Sequence, residues 1–241
     1  MITYASLSKE GNRSVNEDYI GFHEVDGEIL FCLADGLGGH GRGAVASEMV
    51  VSKSIAAFAE CKADDVLVNC FLSAQEGLIT EQDKEGAKDE MKSTLTLLVI
   101  QNAVAYWGHV GDSRLYLFRK NKLFRRTLDH SVPQMLVATG EIRERDIRFH
   151  TDRNRLIRVM GMEWSSPKYD LSDRVDLCNG DAFLLCSDGF WELIDEKDML
   201  KLLKKAVTAD EWLAMMEKAV LKNGQGKNMD NYSAMTVLIK E

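Results

Sequence analysis

Three observations in the sequence predict an α+β fold, with antiparallel sheets covered by helical layers. Strand-like apolar runs come in groups joined by tight turns. Helical segments fall in pairs between those groups instead of alternating with single strands. No linker rich in Ser, Gly or Pro divides the 241 residues, and the only prolines are Pro133 and Pro167. One domain covering 1–241 is therefore expected.

The elements follow in order. A first strand is expected near 2–6, then strands at 18–25 and 28–34 joined by Asp26-Gly27, a pair favoured in two-residue hairpin turns. Residues 43–60 and 64–82 form the first helix pair. Strands at 94–100 and 103–110 meet at Gln101-Asn102, and strands at 114–119 and 122–127 meet at Lys120-Asn121. A strand at 182–187 precedes the second helix pair, 195–206 and 209–222, and a strand at 234–239 closes the chain. Thr208 and Glu211 have the spacing of a capping box for the last helix. Its Trp212, Met215, Met216, Ala219 and Val220 recur at helical spacing, as expected of a face packed on a sheet.

Composition narrows the function. Hydrophobic residues make up 45% of the chain, enough for a large core. The net charge of −8 argues against a nucleic-acid binder, which needs a basic face to neutralise phosphates. The five cysteines (32, 61, 70, 178 and 186) include no CxxC pair, as expected for free thiols in a reducing compartment. The first residues show no signal-peptide pattern and no apolar run is long enough to span a membrane, so a cytoplasmic location is expected.

The chemistry is carried by acidic residues at strand ends. Asp35 in ILFCLADG, Asp112 in VGDSR, Asp188 in CSDGFW and Asp230 in MDNYS each end or open an apolar run. Any one of them reads as a turn or a helix cap. Together they suggest carboxylates gathered at one end of a sheet, where like charges repel unless cations hold them. Oxygen ligands without a His/Cys cluster point to Mg2+ or Mn2+. Arg13, beside Glu17 and Asp18, is suited to grip a phosphate through two parallel hydrogen bonds. No G-x-S-x-G elbow is present and no histidine has a clear nucleophile partner, which favours an activated water over covalent catalysis.

Residues 36–41 also fit G-x-G-x-x-G after a strand and before a helix, which raises a dinucleotide-binding enzyme as a rival. Asp35 would place negative charge beside a pyrophosphate, and the stretch about 20 residues on, where a ribose-contacting acid is expected, reads as helix.

In order along the chain, Arg13 with Asn16-Glu17-Asp18, Asp35-Gly36-Leu37-Gly39-His40, Ser93-Thr94, Val110 to Arg114, Asp129-His130-Ser131, Leu156 to Gly161, Ser187 to Phe190 and Asp230-Asn231 resemble the metal-dependent Ser/Thr protein phosphatases of type 2C in their compact bacterial form. The resemblance implies a central β-sandwich of two antiparallel sheets flanked by antiparallel helix pairs. It implies hydrolysis of phosphoserine and phosphothreonine in proteins by direct attack of a water bridging two cations. Asp35, Asp188 and Asp230 would hold one Mn2+ or Mg2+. Asp35 and the Gly36 carbonyl would hold the other, with Glu17 and Asp18 acting through water, and Asp112 with Asp188 would serve an optional third ion. Arg13, Asp35 and Asp188 would be the catalytic set, with Arg13 on the phosphate. A partner Ser/Thr kinase and a monomeric state are the matching expectations. The main alternative is an inactive phosphatase-like binding module.

Leu37 stands where animal members carry a histidine proposed as general acid, leaving His40 or a metal-bound water as the proton donor. Residues 131–159 match the family's flap and hold six arginines among four acidic residues. They are expected to form either a phosphopeptide-facing basic surface or a salt-bridged face.

Overall fold

The computed structural model describes residues 1–38, 42–60, 65–88 and 90–240. Gly39, His40, Gly41 and Cys61, all singled out in the sequence, lie outside the described residues.

The strands are β1 (Ile2–Lys9), β2 (Asp18–Val25), β3 (Glu28–Leu37), β4 (Lys92–Ser93), β5 (Leu95–Gln101), β6 (Val104–Val110), β7 (Arg114–Arg119), β8 (Lys122–Arg126), β9 (Asp170–Leu171), β10 (Val175–Asp176), β11 (Ala182–Cys186) and β12 (Tyr232–Ile239). The helices are α1 (Arg42–Glu60), α2 (Val66–Glu85), α3 (Val132–Ala138), α4 (Asp188–Trp191), α5 (Glu196–Leu203) and α6 (Ala209–Gly224). A 3-10 turn spans Glu144–Phe149.

One sheet has the order β1-β12-β11-β7-β8 and the other β10-β6-β5-β3-β2, with β4 and β9 added beside β3 and β6. Every pairing is antiparallel. Alternation along β3 shows how the layers form. Ile29, Phe31 and Leu33 face the other sheet and meet Leu117, Phe183, Leu185 and Val237. Leu30, Cys32 and Ala34 face α1 and α2 and pack with Val50, Phe71 and Leu78. On the far side, Tyr116, Leu184 and Ala234 pack against Trp212, Met216 and Val220 of α6. The result is a helix–sheet–sheet–helix stack, as expected, and the Trp212 stripe is core.

The turns come out with one shift. Asp26 and Gly27 have φ of 52° and 79°, and Lys120 and Asn121 have 50° and 61°. In the third hairpin Gln101 still pairs with Val104, so Asn102 and Ala103 make the turn, not Gln101-Asn102. Thr208 caps α6 through Glu211 N–H at 3.1 Å, but the Glu211 carboxylate accepts from Val207 N–H and not from the cap residue. The expected capping box is thus half made. Among the described residues four cysteines form no disulfide, Cys32, Cys70 and Cys186 buried and Cys178 half-buried. No described helix is long and apolar enough to cross a membrane.

Candidate active site

The acidic residues converge at one end of the sandwich. Asp18 opens β2 and pairs in register with Asp35 of β3, so two carboxylates start from neighbouring strands. The sequence ended β3 before Asp35. The strand runs on to Leu37 because β4 pairs with Gly36 and Leu37. Thr94 fixes Asp35 at both backbone groups: its Oγ1 accepts from Asp35 N–H at 2.9 Å, and its N–H donates to Asp35 C=O at 2.8 Å. Asp112 sits in the turn between β6 and β7. Asp188 opens α4 directly after Ser187, which holds the N-cap position, so Asp188 itself is not the cap residue. Asp230 lies two residues before β12.

A cleft of about 490 Å3 is lined by Arg13, Glu17, Asp35, Gly36, Leu37, Asp112, Asp188 and Asp230, together with Asn154 and Leu156. Asp18 is behind this wall, not on it. It is 5% exposed; its Oδ2 accepts from Ser187 Oγ at 2.7 Å, and its Oδ1 has no hydrogen-bond partner. Glu17 is seated by its backbone, which donates to Asn231 Oδ1 at 2.9 Å and accepts from Gly36 N–H at 3.0 Å. A Cβ on Gly36 would lie 2.0 Å from Gly43 C=O, so the chain passes closer there than any other residue allows.

Arg13 does not stand free. Its Nε and Nη2 donate to both oxygens of Asp230 at 2.9 and 2.8 Å, and the pair is half exposed. Nor does Arg114 pair with Asp112, the partner that a turn would suggest. It binds Asp129 through two hydrogen bonds of 2.8 and 2.6 Å. Asn231 escaped sequence reasoning as a holder. Besides Glu17 N–H, it donates to the carbonyls of Glu10 and Val15, pinning the Arg13 loop to the far end of the chain.

The electrostatics are those of crowded carboxylates. Burial pushes Asp35 well above the ordinary carboxylate range, and the charges of Asp18, Asp188, Asp112 and Asp230 add to the shift. Burial raises Asp112 likewise, followed by the charge of Asp188. Burial and Asp230 take Asp188 to about 6, and burial takes Asp18 to about 7. Glu17 is also raised, chiefly by burial. A buried carboxylate oxygen without a partner, within an all-oxygen donor set, fits hard divalent cations.

A carboxyl raised in the folded state stabilises fully below its unfolded value, and that contribution is lost as pH rises through the folded value. The metal-free protein is therefore expected to lose several degrees of Tm between about pH 5 and pH 8, as Asp188 and then Asp18 ionise. Mn2+ should raise Tm more at pH 8 than at pH 5.5. Calorimetric melts with chelator and with Mn2+ measure both, and a Mn2+ effect independent of pH would contradict the charge crowding.

The segment 131–159 is mostly salt-bridged. Arg143 pairs with Asp146 at 3.0 Å, Arg148 with Glu196 at 3.1 Å, Arg153 with Glu192 at 2.7 Å and Arg158 with Asp170 at 3.2 Å. These contacts favour the salt-bridged alternative over an open basic surface.

A family model described as protein phosphatase 2C matches residues 7–227. The chain belongs to the protein phosphatase 2C family. The enzyme class expected from the sequence, a serine/threonine phosphatase, follows with it. The chain is 32% identical over 208 residues to the serine/threonine phosphatase stp of Listeria monocytogenes, covering 83% of this chain and 81% of that one. It superimposes on the S. agalactiae serine/threonine phosphatase with a TM-score of 0.87 and 26% identity over 100% of both chains. It also matches the catalytic domain of the phosphatase PstP, solved in complex with two manganese ions, with a TM-score of 0.82 and 26% identity, covering 100% of this chain and 99% of that one. The dinucleotide-binding alternative finds no support among these relatives.

Proposed function

We propose that this chain is a metal-dependent protein phosphatase, one domain over 1–241, that hydrolyses phosphoserine and phosphothreonine with two Mn2+ or Mg2+ ions. The observation that carries this reading is the set of carboxylates at the sandwich end, with Asp35 buried among Asp18, Asp112, Asp188 and Asp230. Asp35, Asp188 and Asp230 would hold one ion, and Asp35 with the Gly36 carbonyl the other, with Glu17 and, from behind the wall, Asp18 acting through water. Asp112 with Asp188 would take a third. Bound there, the cations supply Lewis acidity, lowering the pKa of water and offsetting charge on the attacking and leaving oxygens.

The chain's own residues do the rest. Arg13 donates two parallel N–H groups and can pass from the Asp230 carboxylate to a phosphoryl group of similar geometry. Leu37 contributes no proton, which leaves water or His40, a residue outside the described ones, as the donor to the leaving group. Asn154 and Leu156 bring the flap at 131–159 to the cleft edge, where a phosphorylated protein segment would lie. Phosphorylated proteins as substrates, a cognate Ser/Thr kinase, a cytoplasmic location and a monomeric state complete the reading. An inactive binding module would require a lost ligand, and every ligand position named above keeps its oxygen.

Hydrolysis of an aryl phosphate tests the proposal. Turnover should require added Mn2+ or Mg2+ and stop with a chelator; full activity in chelator would sink it. Arg13→Ala should raise KM about tenfold through loss of charge-assisted hydrogen bonds. Its kcat should fall by less than about threefold, since no proton passes through Arg13. An unchanged KM would remove Arg13 from the phosphate.

A further inference from the structure

The Asp129-His130-Ser131 motif has no part in the reading above, yet it touches the turn that carries Asp112. His130 holds Gly111 at both backbone groups. Its Nδ1 accepts from Gly111 N–H at 3.2 Å, and its own N–H donates to Gly111 C=O at 2.9 Å. Gly111 has a φ of +98°, and a Cβ there would meet Thr94 Cγ2 at 2.5 Å. The turn is thus tied to this one backbone path. Asp112 follows directly, and its C=O accepts from Trp191 Nε1 at 3.0 Å.

The other side of His130 faces the flap. Its Nε2 donates to Asp170 Oδ2 at 3.1 Å, and Asp170 Oδ1 accepts from Arg158 at 3.2 Å. The His130 carbonyl accepts from Ile157 N–H at 2.8 Å, and Ser131 bridges to Leu156. Asn154 and Leu156 of that segment line the cleft. Accepting a backbone N–H at Nδ1 places the ring proton on Nε2, the tautomer that Asp170 requires.

His109, His130 and Asp170 also lie close enough together to suggest a cation cage. The rings argue otherwise. They stack at 4.6 Å and 18°, so their in-plane lone pairs lie in nearly parallel planes and are poorly placed to meet at one ion. His109 Nε2 is already spent on Leu128 C=O at 2.7 Å, and both His130 nitrogens are engaged.

We propose that His130 is a positioning residue, a tautomer-locked clip that holds the Gly111-Asp112 turn against the 154–158 segment and so aims the Asp112 carboxylate into the cleft for a divalent cation. The inference rests on the reading of Asp112 as a cation ligand.

Two substitutions separate the two ring nitrogens. In His130→Asn the side-chain oxygen takes the place of Nδ1, keeping the acceptor for Gly111 and losing Asp170. In His130→Gln the amide reaches the place of Nε2, keeping Asp170 and losing the acceptor. Calorimetric titration of Mn2+ into metal-free protein should show the weakest class of sites about tenfold weaker in His130→Gln, as when a partner that orients a metal ligand is removed. His130→Asn should stay within about threefold of wild type. With aryl phosphate, kcat should follow the same order and KM should not move. Added to Asp112→Asn, His130→Gln should cost less than about twofold more, because both changes remove one function. Wild-type Mn2+ binding in His130→Gln, or equal losses in both variants tracking Tm, would overturn the proposal. A wild-type protein that binds Mn2+ yet hydrolyses no phosphate would instead defeat the phosphatase reading and leave the calorimetric comparison intact.

Discussion

Asp35→Asn is expected to abolish turnover and leave the fold at least as stable. Asp35 is the residue on which the other carboxylates act: Asp18, Asp188, Asp112 and Asp230 all raise it, after burial itself. Proposed as the ligand shared by both core ions, it is also the one whose loss would disturb each of them. Removing such a charge-stabilising group costs about 10^3 in kcat, near 4 kcal/mol of barrier. Without metal the substitution works in the other direction. Asparagine keeps the shape and removes a carboxyl that must either be protonated or be buried as a charge among repelling neighbours, so Tm in chelator should hold or rise. The rise in Tm on adding Mn2+ should shrink. Aryl phosphate turnover across a Mn2+ titration, with melts in chelator and in Mn2+, measures all three. Turnover within tenfold of wild type would overturn the shared-ligand assignment. A metal-free Tm well below wild type would show that Asp35 holds the fold and not the ions.

How much of this could be read from the chain depends on how local each signal is. The hairpins were legible because the continuous apolar run of β3 and the Asp26-Gly27 turn are short-range features. Asp35, Asp112, Asp188 and Asp230 were legible as a group because each ends or opens an apolar run. What could not be read were contacts between segments far apart. Asn231 reaches Glu17 across 214 residues, and Arg13 reaches Asp230 across 217. No periodicity encodes either one. The two-residue strands β4, β9 and β10 are too short to show alternation, yet β4 carries β3 past Asp35. The flap's arginines were visible as charge. Their acidic partners Asp170, Glu192 and Glu196 lie outside the flap, so the choice between open and salt-bridged surface needed coordinates. Asp129 shows the same limit. Arg114 stands two residues from Asp112, yet the fold pairs it with a carboxylate 15 residues away.

That choice leads to the second large effect. Arg114→Met should lower stability by about 3–5 kcal/mol, the usual result of removing one partner of a buried ion pair. Arg114 and Asp129 have side chains 3% and 1% exposed. Burial raises the Asp129 carboxyl most, but Arg114, with Arg126 and His109, leaves the net shift downward. Burial also opposes the Arg114 charge, yet Asp129 and Tyr116 leave it net raised, so both partners favour the ionised pair. Methionine would leave Asp129 to Arg126 at 3.1 Å and take the guanidinium from the Trp191 ring, 3.4 Å away. Tm should then fall by about 10 °C, given about 2–4 °C per kcal/mol in a chain of this size. A depressed carboxyl stabilises above its unfolded value and loses that contribution as pH falls through the folded one. The gap between wild type and variant should therefore be full at neutral pH and narrow in acid. Arg114→Met combined with Asp129→Leu should recover part of the loss, since the under-compensated Asp129 charge leaves with Arg114 and Arg126 keeps Glu144. A single variant as stable as wild type, or a double variant worse than the sum of the two singles, would mean that the pair is not what holds β7 to the 129–131 segment. Trp191 connects this pair to function, because it lies over Arg114 and donates to Asp112 C=O. A loss of Mn2+ affinity in Arg114→Met larger than its fall in Tm explains would show that the ion pair also aims the Asp112 turn.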